Sequence, residues 1–209
     1  MSKIIGVVSQ KGGVGKSTIA RLLATEFARN GWEVKIADLD AGQKTCADWQ
    51  ARRIENGLQP EISVEVVGSI ERALRTRNHY DLIILDGLPM ASKLTLEMAQ
   101  NADLVILPTS TGLDDLTPTV KLCHELRKNG LNVKQMLVLL SKTGSSESDI
   151  EAARNFVHEA GYEVLENSLP EKTAYRQALD QGRSLTETRY PKLNELATKI
   201  VQAVAQKLV

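Results

Sequence analysis

Short, almost continuously apolar runs alternate along the chain with longer segments in which apolar residues recur every three or four positions. The apolar runs cover residues 4–9, 34–40, 62–68, 81–87, 103–109, 136–142 and, more weakly, 162–167. Such runs predict strands that are buried on both faces, as in a parallel sheet. The periodic segments predict helices over 16–30, about 45–56, 69–78, 91–101, 114–129, 147–161, 171–181 and 191–208. Strand–helix alternation predicts a doubly wound, mostly parallel α/β sheet with helices on both faces.

The composition fits one domain over residues 1–209 with an aliphatic core, because 42% of residues are hydrophobic and only 4% are aromatic. The formal net charge is zero, so any binding to nucleic acid would depend on a local basic patch. No apolar run resembles a signal peptide or approaches the roughly 18 residues of a membrane span. Cys46 and Cys123 lie far apart and are expected to be free thiols in a reducing cytoplasm.

The strongest chemical motif is QKGGVGKST, residues 10–18, between the first predicted strand and the first predicted helix. This is the context that a phosphate-binding loop requires. Its glycines let backbone N–H groups approach phosphate oxygens, and the helix N-terminus adds partial positive charge. Lys16 is placed to reach the β and γ phosphates, and the Ser17 hydroxyl is placed to bind Mg²⁺.

Aspartates end two of the predicted strands. Asp38 and Asp40 close the second strand, and alternation is expected to send both carboxylates the same way. They could orient a water or support a metal, or they could form a solvated strand end. Asp86 ends LIILDG and is expected to support Mg²⁺, unless it is an ordinary turn aspartate; Gly87 and Pro89 predict a turn after it.

Other features favour structural interpretations. Asp114 or Asp115 is expected to cap a helix, and a contact with a partner is the alternative. The last predicted helix carries one apolar stripe, which favours a docked core helix over a membrane-surface helix. The charge pattern offers two candidate DNA-facing patches, and a solvated surface is the alternative for both. The first comprises Lys172, Arg176 and Arg183, and the second comprises Arg52, Arg53, Arg72, Arg75 and Arg77.

The loop KGGVGKS, with Lys11 directly before the glycine pair, resembles the deviant phosphate loop of the ParA/MinD family of ATPases. IADLDAGQ is similar to that family's second motif, and LIILDGLP is similar to its Walker B and switch region. The segment spacing agrees from Lys3 to the last helix.

The resemblance implies ATP and Mg²⁺ as cofactors and an ATP-sandwich homodimer, in which Lys11 contacts the phosphates bound by the other subunit. It implies that Lys16 and Asp40 join Lys11 in catalysis, with Asp40 positioning the attacking water. The implied metal site comprises Ser17, Asp38 and Asp86. The implied nucleotide contacts are Lys11, Gly12, Gly13, Val14, Gly15, Lys16, Ser17, Thr18 and Pro170.

The chain departs from the family pattern at two places. Asp40-Ala41-Gly42-Gln43 stands where the family commonly has Asp-Pro-Gln, and Ser141-Lys142 stands where an asparagine often contacts adenine. Adenine recognition is therefore expected near Leu169 and Pro170. No obvious arginine finger stands beside the phosphate loop, which predicts slow basal turnover.

The short length, with no room for an N-terminal helix-turn-helix, resembles the small ParA-type partition ATPases. That branch implies nonspecific DNA binding, a ParB-like or small centromere-binding adaptor, a plasmid or chromosome as cargo, and a cytoplasmic, nucleoid-associated location without stable membrane association. The sequence leaves open the positioning of a protein cluster or microcompartment, a MinD-like membrane-cycling regulator, and a metabolic ligase or transferase on the same fold.

Overall fold

The computed structural model describes residues 2–89 and 93–208. Within these ranges the strands are β1 (Lys3–Ser9), β2 (Val34–Asp38), β3 (Ser63–Val66), β4 (Leu82–Pro89), β5 (Leu104–Thr109), β6 (Met136–Thr143), β7 (Glu163–Val164) and β8 (Leu169–Pro170). The α-helices are α1 (Lys16–Arg29), α2 (Thr45–Glu55), α3 (Ile70–Leu74), α4 (Lys93–Asn101), α5 (Leu113–Lys128), α6 (Glu147–Glu159), α7 (Thr173–Asp180) and α8 (Pro191–Leu208). Short 3₁₀ helices cover Arg77–His79 and Val133–Gln135.

The strands form one parallel sheet in the order β3-β2-β4-β1-β5-β6-β7, with β8 paired to β6. β4 therefore lies between β1 and β2, although β3 and two helices separate it from β2 along the chain. Its Asp86 is in register with Val7 of β1 and with Asp38 of β2. The sheet order thus brings the loop after β1 and both aspartates to one edge, where ligands bind in open α/β sheets.

The core lies on both faces of the sheet, because successive residues of a buried strand point to opposite sides. In β1, Ile4 and Val8 belong to one apolar cluster, and Ile5 and Val7 belong to the other. The first cluster includes buried residues of α3, α4, α5 and α6, and the second includes those of α1, α2, α7 and α8. The doubly wound architecture predicted from the sequence is confirmed.

The predicted docking of the last helix is also confirmed. Ala197, Ile200 and Val204 of α8 are fully buried in the second cluster. The Lys3 ammonium donates a hydrogen bond of 2.8 Å to the Leu208 carbonyl, which ties the end of α8 to the start of β1. Among the described residues, no helix combines the length and the apolar character needed to cross a membrane.

The structure corrects several predicted boundaries. The second strand ends at Asp38 rather than Asp40, and the third helix ends at Leu74. The turn predicted at Gly87 and Pro89 is wrong, since both residues belong to β4. A Cβ on Gly87 would lie 2.9 Å from the Val7 carbonyl oxygen, so close pairing with β1 requires glycine there. The predicted start of the fourth helix at residues 91–92 lies outside the described residues.

Candidate nucleotide-binding site

The phosphate loop takes the backbone shape that its glycines allow. Gly13 and Gly15 have φ angles of 78° and 99°, a left-handed region that is costly for other residues. Gly15 is also the N-cap of α1, and no side chain caps the helix there. The first backbone N–H groups of α1 therefore remain available for an anionic ligand.

Strand β6, which β5 separates from β1 in the sheet, holds this loop in place. The Ser141 hydroxyl at the end of β6 donates a hydrogen bond of 2.5 Å to the Val14 carbonyl, and both side chains are buried. The Ser141 hydroxyl is therefore engaged by the loop backbone. This contact gives Ser141 a structural role in holding the phosphate loop.

The two lysines of the loop point to different places. Lys16 is buried, and its ammonium donates a hydrogen bond of 3.2 Å to the Lys11 carbonyl inside the loop. Burial lowers the pKa of Lys16, while the nearby carboxylates of Asp86 and Asp40 act in the opposite direction. The Lys11 side chain is 45% exposed, and its ammonium lies 3.7 Å from Asp115 Oδ1. The Lys16 side chain thus points into its own loop, whereas the Lys11 side chain is available at the surface.

Asp115 belongs to the first turn of α5 and is fixed by a neighbouring hydroxyl. The Ser110 hydroxyl donates a hydrogen bond of 2.5 Å to Asp115 Oδ2. The predicted capping role of Asp114 or Asp115 is wrong, because the N-cap of α5 is Gly112 and no side chain caps the helix. The acidic first turn of α5 instead provides a surface partner for Lys11.

Asp38 and Asp40 occupy different environments, contrary to the expectation that they would lie side by side on a strand. Asp38 is fully buried; its Oδ1 accepts from the Asp40 N–H at 3.1 Å and its Oδ2 accepts from the Cys46 N–H at 2.9 Å. Asp40 lies beyond β2, is half-buried, and accepts from the Gln43 N–H at 3.0 Å. Asp38 therefore shapes the turn that presents Asp40 to the site.

Asp86 lies beneath the phosphate loop and is only 2% exposed. Burial raises the pKa of Asp86 to about 6, while the Ser17 hydroxyl and the Cys46 thiol act in the opposite direction. The Cys46 thiol donates a hydrogen bond of 3.2 Å to Asp86 Oδ2. Asp86 Oδ1 is buried and accepts no well-formed hydrogen bond from the described residues. A buried carboxylate oxygen without a donor fits a cation, as expected of a Walker B aspartate.

Cys46 is a contact that the sequence did not reveal. Its thiol is fully buried, and its Sγ atom lies within 4.8 Å of a carboxylate oxygen of Asp38 and of a carboxylate oxygen of Asp86. Burial raises the pKa of Cys46 well above its usual value, so the thiol stays protonated and acts as a donor to Asp86. The expectation of free cysteines is confirmed, since neither cysteine forms a disulfide.

Two cavities meet beside the loop. The first, of 240 Å³, is lined by Gly12, Gly13, Gly15, Lys16, Ser17, Thr18, Arg21, Asp40, Gln43, Thr45, Gly87 and Lys142. The second, of 400 Å³, is lined by Thr18, Arg21, Lys142, Leu169, Pro170, Glu171, Lys172, Thr173, Tyr175, Arg176, Leu179, Asp180 and Leu185. Most of the predicted phosphate-loop residues therefore line the first cavity, but Lys11 and Val14 do not. The predicted adenine region at Leu169 and Pro170 lines the second cavity.

An arginine to which the sequence analysis gave no role stands beside the loop. Arg21 lines both cavities and is only 5% exposed. The spacing along α1 could have revealed it, because residues four apart share one face of a helix and Arg21 follows Ser17 by four. Lys142 also lines both cavities and was not assigned a role from the sequence.

The candidate DNA residues do not form one compact group. Lys172 and Arg176 are exposed and line the second cavity, while the exposed Arg183 lines a separate cavity of 290 Å³. In the second predicted patch, Arg53 is fully buried and pairs with Glu187 at 2.8 Å, so it is not available to DNA. The charge pattern could not predict the burial of Arg53, because its partners Glu187 and Gly182 are distant in sequence.

Comparison with known proteins agrees with this geometry. The model of the CobQ/CobB/MinD/ParA nucleotide binding domain matches residues 5–185. The chain is 26% identical to the maintenance of carboxysome distribution protein A of Gloeobacter kilaueensis, covering 90% of this chain and 85% of that one. It is 26% identical to the sporulation initiation inhibitor protein Soj of Bacillus subtilis, covering 88% and 90%.

Among solved structures, the septum site-determining protein MinD of Pyrococcus horikoshii, complexed with Mg-ADP, superposes with a TM-score of 0.72. The sequence identity is 24%, and the match covers 99% of each chain. The fold is thus that of MinD, and the family match spans the phosphate loop, both aspartate motifs and β8. The chain therefore belongs to the CobQ/CobB/MinD/ParA family of nucleotide-binding domains, and it is an ATPase of the ParA/MinD type.

Proposed function

We propose that this ATPase is Mg²⁺-dependent, forms an ATP-bridged homodimer and moves or positions a plasmid or chromosome on nonspecific DNA. The observation that carries the proposal is that the two loop lysines occupy different environments. Lys16 is buried and directed into its own loop, whereas Lys11 is exposed at the surface. A single-subunit site has no use for the second lysine, but a site completed by a partner subunit does.

Mg²⁺ would be held by Ser17 and Asp86, with Asp38 supporting the site. The unpaired, buried Oδ1 of Asp86 and the hydroxyl of Ser17 are the hard oxygen donors that this cation prefers. Bound Mg²⁺ would neutralise part of the phosphate charge during hydrolysis. Asp40, half-buried at the rim of the phosphate cavity, would orient the attacking water.

Dimerisation would depend on bound ATP because the phosphate charges of the two nucleotides attract the lysine of the opposite subunit. Two ATP molecules facing each other across an interface repel, and a lysine from each subunit offsets that repulsion. Lys11 must leave Asp115 to do this, but an exposed pair at 3.7 Å contributes only about 0–1 kcal/mol and is easily exchanged. ATP-dependent dimerisation is therefore compatible with the surface position of Lys11.

Nonspecific DNA binding would require the doubled surface of the dimer, because the chain carries no net charge. Lys172, Arg176 and Arg183 are exposed and are our candidate contacts. A ParB-like or small centromere-binding adaptor would stimulate hydrolysis and release the dimer. We place the protein in the cytoplasm, associated with the nucleoid and without stable membrane association.

The test is binding to nonspecific duplex DNA with ATP, with ADP and without nucleotide, using Asp40→Ala to hold the ATP state. We expect binding only with ATP, lost as the salt concentration rises. Arg183→Gln, at the candidate contact that lies outside both cavities of the nucleotide site, should weaken DNA binding while ATP-dependent dimerisation persists. Lys172 and Arg176 line the second cavity, so their replacement must be accompanied by a measurement of nucleotide affinity. The absence of DNA binding in every nucleotide state would refute the nucleoid mechanism and leave the ATPase assignment intact.

A second candidate is an ATPase that positions a protein cluster or microcompartment. The observation that favours it is the similarity to a protein named for maintaining carboxysome distribution, over 90% of this chain. The ATP-dependent DNA binding expected of the two candidates is the same. Identifying the adaptor by crosslinking to the ATP-locked Asp40→Ala dimer separates them, since a centromere-bound adaptor supports the first candidate and a component of a protein assembly supports the second.

A further inference from the structure

We infer that Arg21 and Lys142 form a cationic clamp on the section of the nucleotide that joins the phosphates to the base, the α-phosphate and ribose. The inference rests on the nucleotide site described above and adds two residues to it. It concerns the junction of the two cavities, where Thr18, Arg21 and Lys142 are the described residues that line both. A nucleotide with its phosphates in the first cavity and its base in the second must pass these residues.

Arg21 carries a positive charge that the protein neutralises only in part. Its side chain is 5% exposed, and one guanidinium nitrogen donates to the Thr45 carbonyl at the start of α2. Its Nε is buried and has no hydrogen-bond partner among the described residues. A buried donor without an acceptor is costly, and an anionic ligand in the adjoining cavity would supply one.

Arg21 is also held in a fixed orientation. Its guanidinium carbon lies 5.7 Å from the centre of the Trp49 ring, within the range of a cation–π contact. Trp49 is fully buried, and the guanidinium of Arg53 lies 5.6 Å from the same ring. Arg21 is therefore preorganised, so that little side-chain entropy is lost when a ligand binds.

Lys142 faces the same junction from the end of β6. Its φ angle is 53°, a left-handed conformation that is uncommon outside glycine. Its side chain is exposed and forms no ion pair within the described ranges. Lys142 lines both cavities together with Arg21, so both charges would be available to a phosphate at the junction.

The position of the clamp predicts its chemical consequence. The α-phosphate and ribose are common to ATP and ADP, so the clamp contributes to the affinity for both nucleotides. Lys16 and Ser17, by contrast, surround the first cavity, where the β and γ phosphates are expected. Loss of the clamp should therefore raise KM and the Kd of both nucleotides, with a smaller effect on kcat.

The first test compares Arg21→Met, Arg21→Lys and Lys142→Asn with the control Lys121→Gln, an exposed lysine of α5 outside both cavities. Asparagine tolerates the left-handed backbone at position 142. We expect Arg21→Met and Lys142→Asn to raise the Kd of ATP and of ADP equally, by roughly 10- to 100-fold, as for a lost charged hydrogen bond. Arg21→Lys should recover part of the affinity, and Lys121→Gln should match the unmodified protein.

A second readout separates ligand contact from a merely structural role. Trp32→Phe leaves Trp49 as the only remaining tryptophan, because the chain contains two. ATP or ADP should change the emission of Trp49 when Arg21 engages the ligand, and saturating nucleotide should give no such change in Arg21→Met. Urea unfolding of each variant identifies any loss of folding, and Lys142→Asn tests the clamp at an exposed position if Arg21→Met does not fold.

The inference is overturned if Lys142→Asn and Arg21→Lys bind ATP and ADP within about twofold of the unmodified protein, a difference of about 0.4 kcal/mol. It is also overturned if the loss is confined to ATP, because the clamp would then act on the γ-phosphate. Failure of the unmodified protein to bind either nucleotide would refute the nucleotide site itself. These results are distinguishable in one titration series.

Discussion

Gly182 lies in the turn after α7, and we expect its replacement by alanine to destabilise the protein through a collision with α2. The glycine is buried and has a φ angle of 73°. A Cβ at this position would lie 2.4 Å from the Arg53 nitrogen and 2.7 Å from the Arg52 carbonyl carbon. These are backbone atoms of a helix, so α2 or the turn must move.

The magnitude follows from two contributions. The left-handed backbone costs a non-glycine residue about 1–2 kcal/mol, and overpacking a tight contact typically costs about 1–3 kcal/mol. We therefore expect Gly182→Ala to lower the free energy of unfolding by about 2–5 kcal/mol. Displacement of the turn would also weaken the hydrogen bonds from Arg53 Nη1 to the Gly182 carbonyl, at 3.1 Å, and from Trp49 Nε1 to the Arg183 carbonyl, at 3.0 Å.

Gly57→Ala is the matched control. Gly57 also has a positive φ angle, of 60°, but a Cβ there would meet no atom within 4 Å. The control should show the backbone contribution alone, about 1–2 kcal/mol. Urea unfolding of both variants gives the difference, and thermal midpoints should fall by roughly 2–4 °C for each kcal/mol. Equal losses in the two variants, within about 0.5 kcal/mol, would refute the collision.

Three further predictions concern the site. Lys11→Ala should bind nucleotide as a monomer but fail to dimerise with ATP in sedimentation experiments; normal dimerisation would remove Lys11 from the interface. Asp40→Ala should bind ATP and lose at least about 100-fold in turnover, the usual contribution of a general base, and rapid turnover would exclude its proposed role. Burial raises the pKa of Asp86 to about 6, so the folded state takes up a proton more readily than the unfolded state as the pH falls from 6 to 4. Ionisation of Asp86 should therefore lower the free energy of unfolding by up to about 3 kcal/mol as the pH rises from 4 to 6. Asp86→Asn should remove this pH dependence in urea titrations, and an unchanged slope would contradict the assignment.

Much of the nucleotide site could be predicted because it is contiguous in sequence. The strand, the glycine loop and the helix of residues 3–29 specify one another locally, since glycine permits the left-handed turns and the helix N-terminus supplies the free N–H groups. The apolar runs also placed Asp86 at the end of a predicted strand. The positions of Asp40 and Arg21 were not obtained, because each depends on where a chain segment turns or which face of a helix meets a cavity.

The alternation of strands and helices, the phosphate loop and the family resemblance can all be read from the chain, because they depend on neighbouring residues and on periodicity. The meeting of distant groups depends on the folded sheet. Strand β4 lies between β1 and β2 and brings Asp86 to Cys46. Glu187 forms an ion pair with the buried Arg53. Sheet order and side-chain burial follow from the free energy of packing the whole core, and no local pattern encodes that sum.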